Sequence, residues 1–157
     1  MPTATLERPQ VDLRRLILEG GGKRPIPAQA LLLDALYEKE YILFGGAAGP
    51  GKSYILRWAA IDFLIACADR GHYGVRVGLF CEDYPSLKDR QVTRIAREFP
   101  LWLGDLRESK TEGFAFHLHP DYGGGIIALR NLDDPAKYAS AEFAAIFVDE
   151  LTKNPRQ

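Results

Sequence analysis

Sulfur is scarce in this chain: Cys67 and Cys81 are its two cysteines, and they form no Cys-x-x-Cys pair. Both lie in or at the end of apolar runs, where a buried thiol is the usual occupant. A disulfide-stapled miniprotein is therefore excluded. Long apolar runs are missing as well. No uninterrupted stretch of about 18 apolar residues occurs, and the opening MPTATLERPQ carries charge early and lacks an apolar signal core. The expectation is a soluble chain with no membrane association, in a reducing compartment. Charge of one sign is also lacking, since 20 Lys and Arg against 21 Asp and Glu leave a formal net charge of -1. Any contact with nucleic acid must come from a local patch, because no global field draws it in. What is present is ordinary. With 157 residues, 46% hydrophobic and 26% charged, the chain has the size and composition of one globular domain with a real core.

Residues 1–24 are polar apart from the short segment DLRRLIL, and run into EGGGKRPIP, whose three glycines and two prolines mark a flexible boundary. We read 1–24 as a flexible N-terminal segment and 25–157 as the folded domain. AQALLLDALYE repeats apolar residues at helical spacing, and EYILF then turns strand-like. GKSYILRWAAIDFLIACADRG reads as a long apolar-rich helix stopped by Gly71. VRVGLFC reads as a buried strand, and residues 86–99 as a helix capped by Asp83 or Ser86. FAFHLHP and IIALRNL, parted by DYGGG, have the look of a hairpin, and FAAIFVDEL is an apolar strand running into two acids. This order implies a three-layer α/β domain with a largely parallel sheet, decorated by one antiparallel hairpin.

Between the expected strand EYILF and the long helix, Gly46, Ala47, Ala48, Gly49, Pro50, Gly51, Lys52 and Ser53 fill the pattern GxxxxGK[ST] without a gap. Small residues let backbone N–H groups turn inward around a phosphate, and the N-terminus of the following helix adds partial positive charge. Lys52 would reach the β and γ phosphates of ATP, and the Ser53 hydroxyl would ligate Mg2+. A chance match in a chain of this length is roughly a one in 200 event. Pro50 is a discord, because proline has no N–H to give to the cradle. A glycine-rich turn that merely joins strand to helix is the alternative.

The second half of such a site belongs at the tip of a neighbouring strand. AAIFVDE supplies an apolar run ending in Asp149, to hold Mg2+, and Glu150, to polarise an attacking water. Apolar strands also end in solvated acids, so this signal gains weight only beside the first one.

LFGGAAGPGKS, VGLFCEDYPSLKDRQV, GGGIIALRNL and FAAIFVDELTKN together resemble the N-terminal ATPase domain of the large terminase subunit of tailed bacteriophages, over residues 25–154. The resemblance implies a P-loop NTPase core of RecA-like (ASCE) type, incomplete at the C-terminus and without the nuclease domain. It implies ATP hydrolysis with Mg2+ that threads double-stranded DNA into a procapsid. The motor would be a ring of copies of itself in the host cytoplasm, with the portal protein and the small terminase subunit as partners. It further implies that Gln29 senses adenine, as an amide can pair with both N6 and N7; a solvent-facing helix glutamine is the alternative. The arginine finger is unassigned, with Arg57, Arg90 and Arg130 as candidates. A helicase-like nucleic-acid motor and a non-hydrolysing nucleotide-binding assembly module are the competing readings.

Two weaker constellations stand outside that scheme. Arg90, Arg94 and Arg97 recur at i, i+4 and i+7, which gives a basic stripe or an ordinary solvated helix face. His117 and His119 share one strand face, but lack acids or cysteines at metal-ligand spacing.

Overall fold

The computed structural model describes residues 11–45, 51–133 and 142–149. Its longest element is helix α3, Gly51–Asp69. This helix is buried on nearly every side, with Ile55, Trp58, Ile61, Leu64 and Ile65 all inside, as a helix apolar all round must be. It ends as its sequence demands: Gly71 takes φ +84, and the His72 N–H returns to the Cys67 carbonyl at 2.9 Å, closing the last turn through a left-handed residue. Two shorter helices precede it, α1 (Leu13–Glu19) and α2 (Pro27–Ala35). Helix α1 falls within the segment expected to be flexible, yet Leu13, Leu16 and Ile17 are buried in the common core.

Five strands follow: β1 (Arg76–Cys81), β2 (Gly104–Ser109), β3 (Gly113–Leu118), β4 (Ile126–Asn131) and β5 (Ala145–Val148). Their order in the sheet is β2-β3-β4-β1-β5. Strand β1 lies parallel to both β4 and β5, while β2 with β3 and β3 with β4 are antiparallel. The largely parallel, three-layer RecA-like sheet expected from the sequence is thus corrected to a mixed sheet. Short connections dictate this outcome, because a few residues can only return a strand antiparallel to itself, whereas a parallel return needs a long crossover. The expected hairpin is present as β3 and β4. Strand β2 escaped the sequence reading, since most of its residues are exposed and it carries no apolar alternation. Its pairing with β3 defines it.

A second correction concerns EYILF, which forms no strand: residues 42–45 are irregular and Tyr41 and Leu43 are exposed. Strand-like composition needs a sheet neighbour to become a strand, and none among the described residues pairs here.

The core takes one side of the sheet. Val77, Leu79 and Cys81 of β1 align with Ile127 and Leu129 of β4, with Phe116 and Leu118 of β3, and with Phe147 of β5, and α1, α2 and α3 all contribute to the same cluster. Period-two alternation sends Gly78, Phe80 and Ala128 to the other side, where Phe143 meets Phe80 edge-on at 5.9 Å.

The helix expected over residues 86–99 is longer at its start and broken in its middle. It comprises α4 (Tyr84–Leu87), a π-helical turn (Lys88–Val92) and α5 (Thr93–Glu98). Of the two candidate caps, Asp83 performs the role, accepting from the Ser86 N–H at 2.7 Å. The π-helical turn inserts an extra residue into the ladder, a feature common at functional sites. Here it carries Gln91, which is wholly buried.

Candidate functional site

Strands β1 and β5 run parallel and end together, and α3 begins at that same end of the sheet. Ligands of α/β proteins gather at the carboxyl ends of parallel strands. The backbone ladder carries on one residue past β5, where the Asp149 N–H donates to the Phe80 carbonyl at 2.8 Å. That bond holds the backbone beneath the Asp149 side chain.

Asp149 is 4% exposed. A carboxylate so buried must be hydrogen-bonded, or its desolvation would count heavily against the fold. The Ser53 hydroxyl donates toward it, with Oγ 3.0 Å from Oδ1 and 2.8 Å from Oδ2. Gln91 Nε2 donates to Oδ2, also at 2.8 Å. Two residues read from sequence as metal ligands, 96 positions apart, are therefore in direct contact. Gln91 was not anticipated. No periodicity or motif marks it, because its role depends on the π-helical turn that swings it inward.

Arg57 completes the cluster from behind. It is 2% exposed and donates through Nη1 to Gln91 Oε1 at 3.2 Å and to the Arg90 carbonyl at 3.0 Å. Its Nε and Nη2 both reach Glu98 Oε2, at 3.1 and 2.6 Å. A side chain committed in this way braces the site and does not project toward a ligand or a neighbouring subunit. Arg130 likewise donates inward, through Nη1 to the carbonyls of Phe114 and Leu129. Arg90 lies 3.8 Å from Glu82, and Arg94 and Arg97 are exposed.

Gln29 reaches the edge of the site. Its Oε1 accepts from the Ile26 N–H and its Nε2 donates to the Gly51 carbonyl, each at 2.9 Å, so the amide caps α2 and ties it to the first residue of α3. Both polar atoms of the amide are thus already engaged by backbone groups. A Cβ on Gly51 would come within 3.0 Å of that Nε2, which favours glycine there. Lys52 and Ser53, both half-buried, follow in the first turn of α3. Gly46, Ala47, Ala48, Gly49 and Pro50 of the expected phosphate cradle, and Glu150, lie outside the described residues.

Elsewhere, the Cys81 thiol at the end of β1 is pushed up to about 12, first by burial and then by the Asp149 carboxylate. It is an inert core thiol. Burial lowers His117, and His119 Nδ1 accepts from the Asp121 N–H at 3.1 Å. Among the described residues no three His, Cys, Asp or Glu side chains gather to hold a metal by themselves, and no helix is long and apolar enough to cross a membrane. Comparison with family models, curated proteins and solved structures finds no match.

Proposed function

We propose that this chain binds ATP with Mg2+ at the glycine-rich segment preceding α3 and hydrolyses it. The observation that carries the reading is the Ser53 hydroxyl seated on the Asp149 carboxylate. A hydroxyl and a carboxylate side by side are an oxygen-only donor pair suited to a hard divalent cation that keeps part of its water shell. Mg2+, when bound, neutralises charge on the phosphate oxygens. Ser53 and Asp149 are the residues that would hold it. Lys52 supplies a cation for the phosphates, and the amino end of the 19-residue α3 adds the positive pole of its dipole. Glu150, next in sequence to Asp149, is assigned the activation of water. The amide of Gln29 anchors Gly51, the first residue of α3.

From the sequence resemblance comes a finer proposal: turnover drives double-stranded DNA into a procapsid. A ring of these chains would do so in the host cytoplasm, alongside a portal protein and a small terminase subunit. Nuclease protection of DNA by procapsids, with and without ATP, measures that step. If protection is the same in both conditions, the packaging role is lost.

Calorimetric titration with ATP, with and without Mg2+, tests the core reading. Wild type is expected to bind more tightly with Mg2+, Lys52→Ala to lose at least about tenfold in affinity, or about 1.4 kcal/mol, and Asp149→Ala to lose the Mg2+ enhancement. Identical isotherms for wild type and both variants would sink it.

A further inference from the structure

We propose that Gln91 is a positioning residue for the metal-binding carboxylate of Asp149, held in register by Arg57. The inference rests on the reading of Ser53 and Asp149 as the Mg2+ site, and extends that site by one shell of side chains.

Three observations carry it. First, the Gln91 amide is directional at both ends: Nε2 donates to Asp149 Oδ2 at 2.8 Å while Oε1 accepts from Arg57 Nη1 at 3.2 Å. Arg57 therefore decides which way the amide faces, since only an oxygen can meet a guanidinium and the nitrogen is left to point at the carboxylate. Second, Gln91 is 0% exposed and Arg57 2%. An interior that needed only filling would take apolar side chains of similar volume at no loss of stability, so a buried Arg–Gln–Asp series points to a demand for geometry. Third, the series is delivered by a local irregularity, the π-helical turn Lys88–Val92. Without that extra residue Gln91 would face elsewhere on the helix.

The physical consequence is a restriction on rotation. Ser53 alone touches both oxygens of Asp149, at 3.0 and 2.8 Å, and leaves the carboxylate free to swing about its Cβ–Cγ bond. A second donor on Oδ2 from a different element fixes that plane. Partners behind metal ligands typically alter metal affinity by about 10–100-fold when removed. Arg57 acts one step further back, through Gln91, and its own anchor is Glu98 on α5.

The experiment compares ATP affinity with and without Mg2+ in the full chain, taking the ratio of the two as the readout. Gln91→Met keeps length and shape but removes both hydrogen bonds, and its Mg2+ enhancement is expected to fall about tenfold. ATP affinity measured without Mg2+ should stay within about twofold of wild type, because the substitution acts only through the metal-binding carboxylate. An unchanged ratio in Gln91→Met overturns the inference and leaves the ATP reading standing. Absence of any Mg2+-dependent ATP binding by wild type overturns both. Near-UV circular dichroism checks folding, and Gln91→Asn, one methylene too short to span the gap, is the second variant. If neither variant folds, Gln91 is a core residue and the positioning role is refuted.

Discussion

Arg57 and Glu98, 41 residues apart in sequence, are joined by two hydrogen bonds to one carboxylate oxygen, at 3.1 and 2.6 Å. The arginine side chain is 3% exposed and the glutamate 25%, so the pair closes the interior face of the helical run that begins at Tyr84. Arg57→Leu leaves Glu98 without its main partner and Gln91 Oε1 without its donor. Stability should fall by about 3 kcal/mol, read as a drop in the urea midpoint. A shift below about 0.5 kcal/mol would show that the pair contributes nothing net, as exposed pairs often do.

Ser53→Ala and Ser53→Thr separate the hydroxyl from the rest of the side chain. Alanine removes one of the donors to a buried carboxylate, with an expected loss of about 1–2 kcal/mol in stability and of the Mg2+ enhancement of ATP binding. Threonine, which keeps the hydroxyl, should retain both properties. If both variants resemble each other in thermal melts and in titrations, the hydroxyl has neither role.

Alkaline pH gives a test with a definite sign. An unfolded cysteine ionises near its ordinary value of 9.0, whereas Cys81 in the fold holds its proton up to about 12. Between those limits the unfolded chain has released a proton that the folded chain keeps, so stability falls as pH rises, by at most about 1.4 kcal/mol per pH unit. Below pH 9 the contribution is complete. Thermal melts of wild type should therefore decline more steeply above pH 9 than those of Cys81→Ala. Parallel slopes would show that the thiol is not protected.

At Gly71 the backbone sits at φ +84, where a side chain on an L-residue crowds its own carbonyl. Gly71→Ala should destabilise by about 1 kcal/mol, seen in chemical denaturation, with ATP titrations unchanged because the turn lies at the far end of α3. An increase in stability would mean that the turn relaxes to a negative φ without loss.

Tyr37 donates its hydroxyl to Asp62, an acid in α3 that is 5% exposed. Tyr37→Phe deletes that donor and keeps the ring, so a loss of about 1–3 kcal/mol follows from leaving part of a buried carboxylate less well satisfied. Equal unfolding midpoints for the two proteins would assign the bond no net value.

Residues close together in the chain were readable in advance. The glycine-rich pattern ending in Lys52 and Ser53, the apolar helix behind it, the stop at Gly71, the β3–β4 hairpin and a cap at Asp83 or Ser86 all follow from periodicity and turn chemistry within a few positions. Sequence likewise singled out Ser53 and Asp149, through the residue types at the start of a helix and the end of an apolar strand. Tertiary structure alone decided that these two side chains touch, that Gln91 joins them, and that Arg57 is walled in. It also decided the mixed sheet, and the failure of residues 42–45 to pair despite their composition. The physical reason is one of range: helix periodicity, caps and turns are settled by neighbours in the chain. Strand pairing, and the direction a buried amide or guanidinium must face, are settled by groups tens of residues away that only the folded packing brings within hydrogen-bond distance.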